Sequence, residues 1–175
     1  MTDSSASPAI PPVCQDDDTL LRQCTLRFLR SSGPGGQHRN KTESAVVLHH
    51  TPTGVEGQAS ERRSQADNRQ MALKRLRVNL ALQVRSPALA AAAPTPLWRS
   101  RCRNERIVIN PDHHDFAPLL AEALGVIADR QGNTHSAAEQ LGCSHSQLVK
   151  FLKLEPRGLK VVNEVRRTQG LRELE

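Results

Sequence analysis

Residues 33–37 read Gly-Pro-Gly-Gly-Gln, and no other segment of the 175-residue sequence constrains its chemistry as tightly. Two adjacent glycines, Gly35 and Gly36, let the backbone adopt positive φ and approach a ligand closely, because neither carries a Cβ that would clash. Gln37 then supplies a backbone N–H donor and a neutral amide that both donates and accepts. Arg39 and Lys41 follow, so the pattern indicates a loop that approaches a polyanion.

Positive charge is concentrated in the part of the chain that contains this loop. The protein has 24 Lys and Arg residues against 18 Asp and Glu residues, a formal net charge of +6. Residues 19–85 hold twelve basic and four acidic side chains, whereas residues 112–175 are almost neutral. Four further arginines stand between residues 98 and 106. An excess of this kind favours an anionic partner such as nucleic acid.

The cysteines and histidines do not form a metal-ligand pattern. The four cysteines lack a Cys-x-x-Cys pair, which is typical of a reduced cytoplasmic protein. The pairs His49–His50 and His113–His114 are adjacent, a spacing that predicts rings pointing apart. We therefore predict no metal and no cofactor. No apolar stretch approaches the ~20 residues of a membrane span, so we expect no membrane partner. We also expect a cytoplasmic monomer.

Breaks in composition predict four segments along the chain. Residues 1–17 are rich in Ser, Pro and Asp and are predicted to be a disordered tail. Residues 18–86 are predicted to form an α+β domain, in which a small mixed β-sheet carries the glycine loop and a long helix packs on one face. Residues 87–112 are predicted to be a linker with a basic cluster, and residues 113–175 an all-α domain.

Local patterns place the elements of the α+β domain. A short helical turn is predicted from about Asp18, running into a strand that ends near Leu29. Residues 40–43 offer an N-cap and a glutamate three positions later, so a short helix is predicted to start there. Residues 45–50 and 55–59 are predicted to pair as a hairpin. A long helix is predicted from Ser64 to a point before Pro87.

The residues around the glycine loop resemble the signature of the catalytic domain of class I peptide chain release factors. The resemblance lies in Ser31-Ser-Gly-Pro-Gly-Gly-Gln37-His-Arg-Asn40-Lys41-Thr42-Glu-Ser44 and continues through Thr51-Pro-Thr-Gly54 and Arg63-Ser-Gln65-Ala-Asp-Asn68-Arg69 into the long helix. It covers residues 19–83. The glycines alone would also suit a tight structural turn, whereas the flanking blocks are specific to the family.

The resemblance implies hydrolysis of the ester that joins a nascent peptide to its tRNA, inside the peptidyl transferase centre of the large ribosomal subunit. It implies that the catalytic residues are Gly35, Gly36 and Gln37, with the Gln37 backbone N–H facing the oxyanion. Loss of such a donor typically costs ~10²–10³ in rate. It also implies that a set of basic residues binds RNA phosphates: Arg39, Lys41, Arg63 and Arg69. The implied partners are the ribosome, its large-subunit RNA and peptidyl-tRNA.

A full release factor carries a further domain, ahead of this loop, that reads the stop codon. Only residues 1–32 precede the loop here. We therefore expect the short, codon-independent type that rescues stalled ribosomes or large subunits. Two alternatives stay open, namely a ribosome-binding factor without hydrolysis and a helix-turn-helix regulator that binds nucleic acid.

Residues 138–148 carry the pattern of a helix-turn-helix. A small residue at Ala138 suits a helix crossing, Gly142 suits the turn, Ser144 suits the cap of the second helix, and Leu148 and Leu152 would anchor that helix. Since the surrounding segment is almost neutral, DNA is not the expected partner. The alternatives for this segment are docking onto ribosomal RNA, ribosomal protein or tRNA, and a purely structural helical cap.

Overall fold

The computed structural model of the protein describes residues 10–29 and 45–175. These residues divide into two compact units, one formed by residues 15–84 and the other by residues 10–14 together with 85–175. The predicted tail over residues 1–9, the glycine loop and the predicted helix start at residues 40–43 lie outside the described residues. Within the remaining part of the predicted tail, Pro12–Cys14 form a 3-10 turn and Val13 is buried.

The first unit is a three-stranded sheet covered by one long helix. Its elements are α1 (Asp17–Arg22), β1 (Cys24–Leu29), β2 (Ala45–His50), β3 (Val55–Ala59) and α2 (Gln65–Gln83). The predicted α+β class is confirmed. The sheet itself, with the order β1-β2-β3, is antiparallel and not mixed as predicted. The β2–β3 pair is the predicted hairpin, whose short turn allows only antiparallel pairing. Strand β1 also pairs antiparallel with β2, with Leu29 opposite Ala45.

Helix α2 begins where the sequence predicts. Ser64 has an extended backbone, and its hydroxyl accepts a hydrogen bond from the Asp67 backbone N–H at 3.3 Å. This bond satisfies one of the donors that the first helical turn leaves free. The helix ends at Gln83, ahead of Pro87, and it buries the residues of one face, among them Ala72, Leu76 and Leu80.

Gly57 allows β3 to lie directly against α2. A Cβ at this position would overlap the carbonyl oxygen of Ala72 and the backbone nitrogen of Leu76. Helix side chains also bind the outer edge of β3, since Arg75 donates to the Gln58 carbonyl at 2.8 Å and Asn79 to the Glu56 carbonyl at 2.7 Å. The helix thus covers the sheet face and occupies carbonyl groups of an edge strand.

His50 fixes the turn between β2 and β3 from the inside. Its side chain is fully buried, with Nδ1 2.7 Å from the Thr53 hydroxyl and Nε2 2.9 Å from the Gln23 side-chain oxygen. Burial lowers the pKa of His50, and the neighbouring His49 lowers it further. His49 instead contacts Glu56 on the outer face of the sheet, so the prediction that these two rings point apart is confirmed.

The second unit is mostly helical. It contains α3 (Pro87–Ala91), α4 (Pro96–Arg101), the two-residue strands β4 (Cys102–Arg103) and β5 (Arg106–Ile107), α5 (Phe116–Asp129), α6 (Thr134–Leu141), α7 (His145–Leu152) and α8 (Pro156–Thr168). Every residue of α5 from Phe116 to Ile127 is buried. A helix that is buried on all sides forms the centre of a unit, and the other elements pack around it. No helix among the described residues has both the length and the apolar character required to cross a membrane.

The segment predicted as a linker contributes to the core of this unit. Residues 87–91 and 96–101 are helical, and Trp98 is 1% exposed. The Trp98 indole donates to the Leu141 carbonyl at 2.8 Å and packs edge-to-face on Phe151, with ring centroids 5.7 Å apart. Ala90 packs against Gly125 of α5. An alanine-rich run with a single tryptophan carries little periodicity, so its burial depends on contacts distant in sequence.

The helices α6 and α7 are joined by a glycine turn. Gly142 adopts the left-handed conformation with φ of 67°, and the Ser144 hydroxyl accepts a hydrogen bond from the Gln147 N–H at 3.4 Å. Leu148 and Leu152 are fully buried. The turn, the cap and the two anchors therefore lie where the sequence pattern predicts them, while a nucleic-acid role for this pair stays a prediction.

A buried carboxylate ties α5 to the start of α4. Glu122 is 1% exposed, and its two oxygens accept hydrogen bonds from the Thr95 backbone N–H at 2.7 Å and hydroxyl at 2.6 Å. The Thr95 hydroxyl in turn accepts from the Trp98 N–H at 3.1 Å and caps α4. Burial raises the pKa of Glu122, although the bonds from Thr95 oppose this shift.

Replacing this carboxylate is expected to destabilise the second unit. Glu122→Ala leaves two buried donors unpaired and opens a cavity, so we expect a loss of about 3 kcal/mol in the free energy of unfolding. Glu122→Gln keeps an acceptor and is expected to lose less. Urea unfolding followed by Trp98 fluorescence measures both, and equal losses for the two variants would contradict the hydrogen-bonding role.

The pH dependence of stability provides a second test of the contact between Glu122 and Thr95. Because the pKa of Glu122 is raised above its ordinary value of 4.5 in the folded state, its stabilising contribution is full below the unfolded pKa and declines as pH rises through the folded pKa. Glutamine does not ionise. In the same urea experiment, the free energy of unfolding of Glu122→Gln is therefore expected to increase relative to that of wild type as pH rises above 4.5.

Candidate catalytic and RNA-binding site

The predicted catalytic residues lie on the connection between β1 and β2. Leu29, the last residue of β1, is the direct partner of Ala45, the first residue of β2. Both ends of the connection formed by residues 30–44 are therefore joined to the same end of the sheet. This connection holds five of the predicted site residues, all of them outside the described residues: Gly35, Gly36, Gln37, Arg39 and Lys41.

The same end of the sheet carries the segment that leads into α2. Val46 pairs with Phe28 on one side and with Ala59, the last residue of β3, on the other. The chain that follows Ala59 contains Arg63, one of the predicted RNA-binding residues. The antiparallel sheet thus brings together, at one end, the two strand ends that join residues 30–44 and the basic segment that contains Arg63.

Two large apolar side chains stay exposed at this end of the sheet. Phe28 is 42% exposed and Leu29 is 49% exposed, although both belong to the apolar run that predicts β1. The sequence carries no signal for this, because apolar residues at the end of a strand are ordinarily read as core. Apolar surface therefore lies directly beside the point where residues 30–44, which contain the predicted catalytic residues, join the sheet.

Arg63 and Arg69 both lie at the N-terminal end of α2 and are exposed. In the described part of the chain, neither side chain forms an ion pair or a hydrogen bond. A helix N-terminus carries partial positive charge, so the helix end repels an unpaired cation such as Arg63 beside it. An anion from outside the protein would relieve this repulsion.

Asn68 holds the basic segment on the helix. Its side chain is fully buried, its oxygen accepts from the Arg62 N–H at 2.9 Å, and its amide donates to the Arg62 carbonyl at 2.8 Å. This pair of bonds fixes the backbone directly ahead of Arg63. Asn68 is a positioning residue that the charge pattern alone does not identify. Its signal in the sequence is its place within the Arg-Ser-Gln-Ala-Asp-Asn-Arg block.

Three other arginines of this unit are neutralised by carboxylates within the protein. Arg75 contacts Glu61, and Arg77 binds Asp17 at 2.6 Å. On the outer face of the sheet, Arg27 binds Glu56 at 2.8 Å. The contrast with the N-terminal end of α2 distinguishes cations that stabilise the fold from cations that remain available to a ligand.

In the second unit, three adjacent residues present possible metal ligands. The ligand atoms of His113, His114 and Asp115 lie within 4.8 Å of one another. The prediction that these two histidines point apart is wrong, because their rings stack with centroids 4.2 Å apart beside the shared carboxylate. That carboxylate is already bound by Arg101 through Nε at 2.9 Å and Nη2 at 2.6 Å. A guanidinium in this position repels a metal cation.

Comparison with known proteins supports the resemblance. A family model described as the RF-1 domain matches residues 20–103. Peptide chain release factor 1 of Acidiphilium cryptum (strain JF-5) is 45% identical over 92 residues, which cover 51% of this chain and 26% of that protein. Peptide chain release factor 1 of Xylella fastidiosa (strain 9a5c) is 35% identical over 155 residues, which cover 78% of this chain and 43% of that protein.

The chain spans less than half the length of these two curated relatives. No solved structure matches it significantly. The matched residues include the whole of the first unit from Leu20 onward and continue to Arg103. The chain therefore carries an RF-1 domain, which is a domain of the class I peptide chain release factor family.

Proposed function

We propose that the protein hydrolyses the ester bond of peptidyl-tRNA on the ribosome. The observation that carries this proposal is the Gly-Pro-Gly-Gly-Gln segment at residues 33–37, which lies inside an RF-1 domain and between two paired strands. Ribosomal RNA and tRNA would form the rest of the active site. The curated relatives are named as peptide chain release factors, which supports the same reaction class.

The chemistry needs a water molecule and a donor for developing negative charge. Water attacks the ester carbonyl carbon, the carbonyl oxygen becomes an oxyanion, and the tRNA ribose hydroxyl leaves as the peptide acid forms. In our proposal, the Gln37 backbone N–H faces the oxyanion. The Gln37 side-chain amide orients the water and excludes larger nucleophiles. Gly35 and Gly36 provide a backbone turn that a Cβ would obstruct.

Binding to the ribosome depends, in this proposal, on the basic side chains of the first unit. Arg39 and Lys41 would contact RNA phosphates next to the catalytic residues. Arg63 and Arg69 would do so from the N-terminal end of α2, where both lack an internal acidic partner within the described residues. Contacts of this kind make affinity fall steeply with salt.

The test is peptide release from ribosomes, or isolated large subunits, that carry labelled peptidyl-tRNA. We expect the protein to release the peptide as a free acid. A protein that binds these particles and releases nothing would leave the ribosome-binding alternative and would refute hydrolysis.

We further propose that release does not depend on a stop codon. Ahead of β1, the described residues form one 3-10 turn and the six-residue helix α1. We expect equal release rates, within about twofold, from ribosomes stalled with an empty A site and from ribosomes with a stop codon there. Such a difference is under 0.5 kcal/mol in activation free energy. Release that requires the stop codon would show codon-specific termination instead.

We also propose that α6 and α7 of the second unit resemble a helix-turn-helix. Ser144, Leu148 and Leu152 support this view through their cap and anchor positions. The exposed residues of α7, Ser146 and Lys150, add a single positive charge. This weak charge favours a docking role over non-specific DNA binding.

A further inference from the structure

Seven of the ten arginines of the second unit are bound to oxygens within it. Five are paired with carboxylates of neighbouring residues or elements, and two more are bound to side-chain amide or backbone carbonyl oxygens: Arg85, Arg101, Arg157, Arg167, Arg172, Arg130 and Arg166. Internal pairing is therefore the usual state of an arginine in this unit. Three arginines do not form such contacts among the described residues.

The exceptions fall within eight consecutive residues. Arg99, Arg103 and Arg106 are exposed, and among the described residues none of them forms an ion pair or a side-chain hydrogen bond. Residues 96–111 contain one acidic residue, Glu105. The Glu105 carboxylate forms no ion pair with either neighbouring arginine in the described structure. This stretch thus holds the three arginines of the second unit whose side chains bind no oxygen among the described residues.

Two of these cations are held side by side. Arg103 of β4 and Arg106 of β5 are direct partners in the antiparallel ladder. Side chains at such positions start about 5 Å apart, and like charges placed there destabilise the pair. The repulsion would be relieved by an anion that both guanidinium groups contact together.

The turn between the two strands maintains this arrangement at a conformational cost. Asn104 and Glu105 have φ of 49° and 59°, and glycine is the usual residue at the second of these positions. The Glu105 carbonyl accepts a hydrogen bond from the Ser144 N–H at 3.1 Å, which attaches the hairpin to the start of α7. Strain of this kind persists where the surrounding structure over-determines it, often at ligand-binding positions.

We infer that Arg103 and Arg106 form a phosphate-binding pair that docks the second unit onto ribosomal RNA. Guanidinium groups bind phosphate through parallel N–H donors, and two adjacent groups span neighbouring oxygens of a sugar–phosphate backbone. Arg99 adds positive charge to the same stretch. The choice of ribosomal RNA over other polyanions rests on the proposed function of the first unit.

The experiment measures equilibrium binding of the full-length protein to isolated large ribosomal subunits over a series of KCl concentrations. The test variant is Arg103→Gln with Arg106→Gln. The matched control is Arg167→Gln with Arg172→Gln, which removes the same charge from two exposed arginines that have carboxylate partners. We expect the test variant to weaken binding about tenfold or more and to lower the slope of log K against log[KCl] by about 2. The control should change affinity less than about threefold.

Three results would overturn the inference. The first is unchanged binding by the test variant, and the second is equal weakening by the control variant, which would indicate a general charge effect. The third is weakened binding to free tRNA with unchanged binding to the subunit, which would identify tRNA as the partner. A single charge reversal, Arg106→Glu, is a second probe and is expected to weaken subunit binding further than Gln does. Thermal unfolding followed by Trp98 fluorescence reports whether each variant is folded.

Peptide release separates this inference from the proposed function. The control variant Arg167→Gln with Arg172→Gln is expected to release peptide at the wild-type rate. If wild type binds subunits through this pair but releases no peptide, the proposed hydrolysis fails and the docking surface stands. If release occurs and the salt slope does not change between wild type and variant, the docking surface fails and the hydrolysis stands.

Discussion

Gly36→Ala is expected to lower peptide release from stalled ribosomes by at least about 100-fold while binding to the ribosome is retained. The expected size corresponds to the loss of one oxyanion donor, ~10²–10³ in rate. In the proposed mechanism, the turn at Gly35 and Gly36 aims the Gln37 N–H at the reacting carbonyl, and a Cβ displaces that N–H. Single-turnover release of labelled peptide at saturating protein concentration measures the effect.

Two further variants make this result specific. Gln37→Ala keeps the backbone N–H and loses the side-chain amide, so its loss in rate is expected to be smaller than that of Gly36→Ala. Gly170→Ala is the matched control: it makes the same substitution at a positive-φ glycine with open space around it, far along the chain from the loop. Release by Gly170→Ala should equal wild type. Comparable rates for Gly36→Ala and wild type would remove the glycine turn from the mechanism.

Gly57→Ala is expected to destabilise the first unit by about 3 kcal/mol, near the upper end of the usual cost of overpacking. The added methyl group would overlap backbone atoms of Ala72 and Leu76, and a helix backbone does not move aside as a flexible side chain does. The cost arises from separating β3 from α2, and it should appear as faster hydrogen exchange of the amides of both elements.

The neighbouring exposed residue provides the control for this prediction. Gln58→Ala lies in the same strand on the exposed side, and its effect is expected within about 0.5 kcal/mol. Trp98 belongs to the other unit, so its fluorescence should not report the change. Unaltered amide exchange in Gly57→Ala would mean that the helix can move away from the sheet without cost.

Much of the secondary structure could be predicted because the local signals agree with the contacts. The strands at residues 45–50 and 55–59 and the start of α2 at Ser64 follow from alternation, a turn and a cap. The direction of the β1–β2 pair could not be predicted in the same way. It is antiparallel, whereas we predicted a mixed sheet, because the pairing direction of two strands joined by a long connection depends on contacts that no local pattern describes.

The segment around Trp98 shows a second limit. Its composition predicts a linker, yet Trp98 is buried against Phe151 and bound to the Leu141 carbonyl, more than 40 residues away. The same kind of distant contact decides the role of Glu122, which pairs with Thr95 across 27 positions. Residues of this kind look ordinary in the sequence because their partners come from other elements.

The order Gly-Gly-Gln with its flanking blocks is a local property of the chain, so the sequence alone carries the resemblance to the release-factor family and the reaction that we propose from it. Which arginines are available to an anion depends on the contacts that the folded chain forms. Arg69 and Arg75 look alike in the sequence, as do Arg101 and Arg103, but only Arg75 and Arg101 meet carboxylates in the described structure. The reason is physical: a charge is neutralised by the groups near it in space, and those groups come from distant parts of the chain.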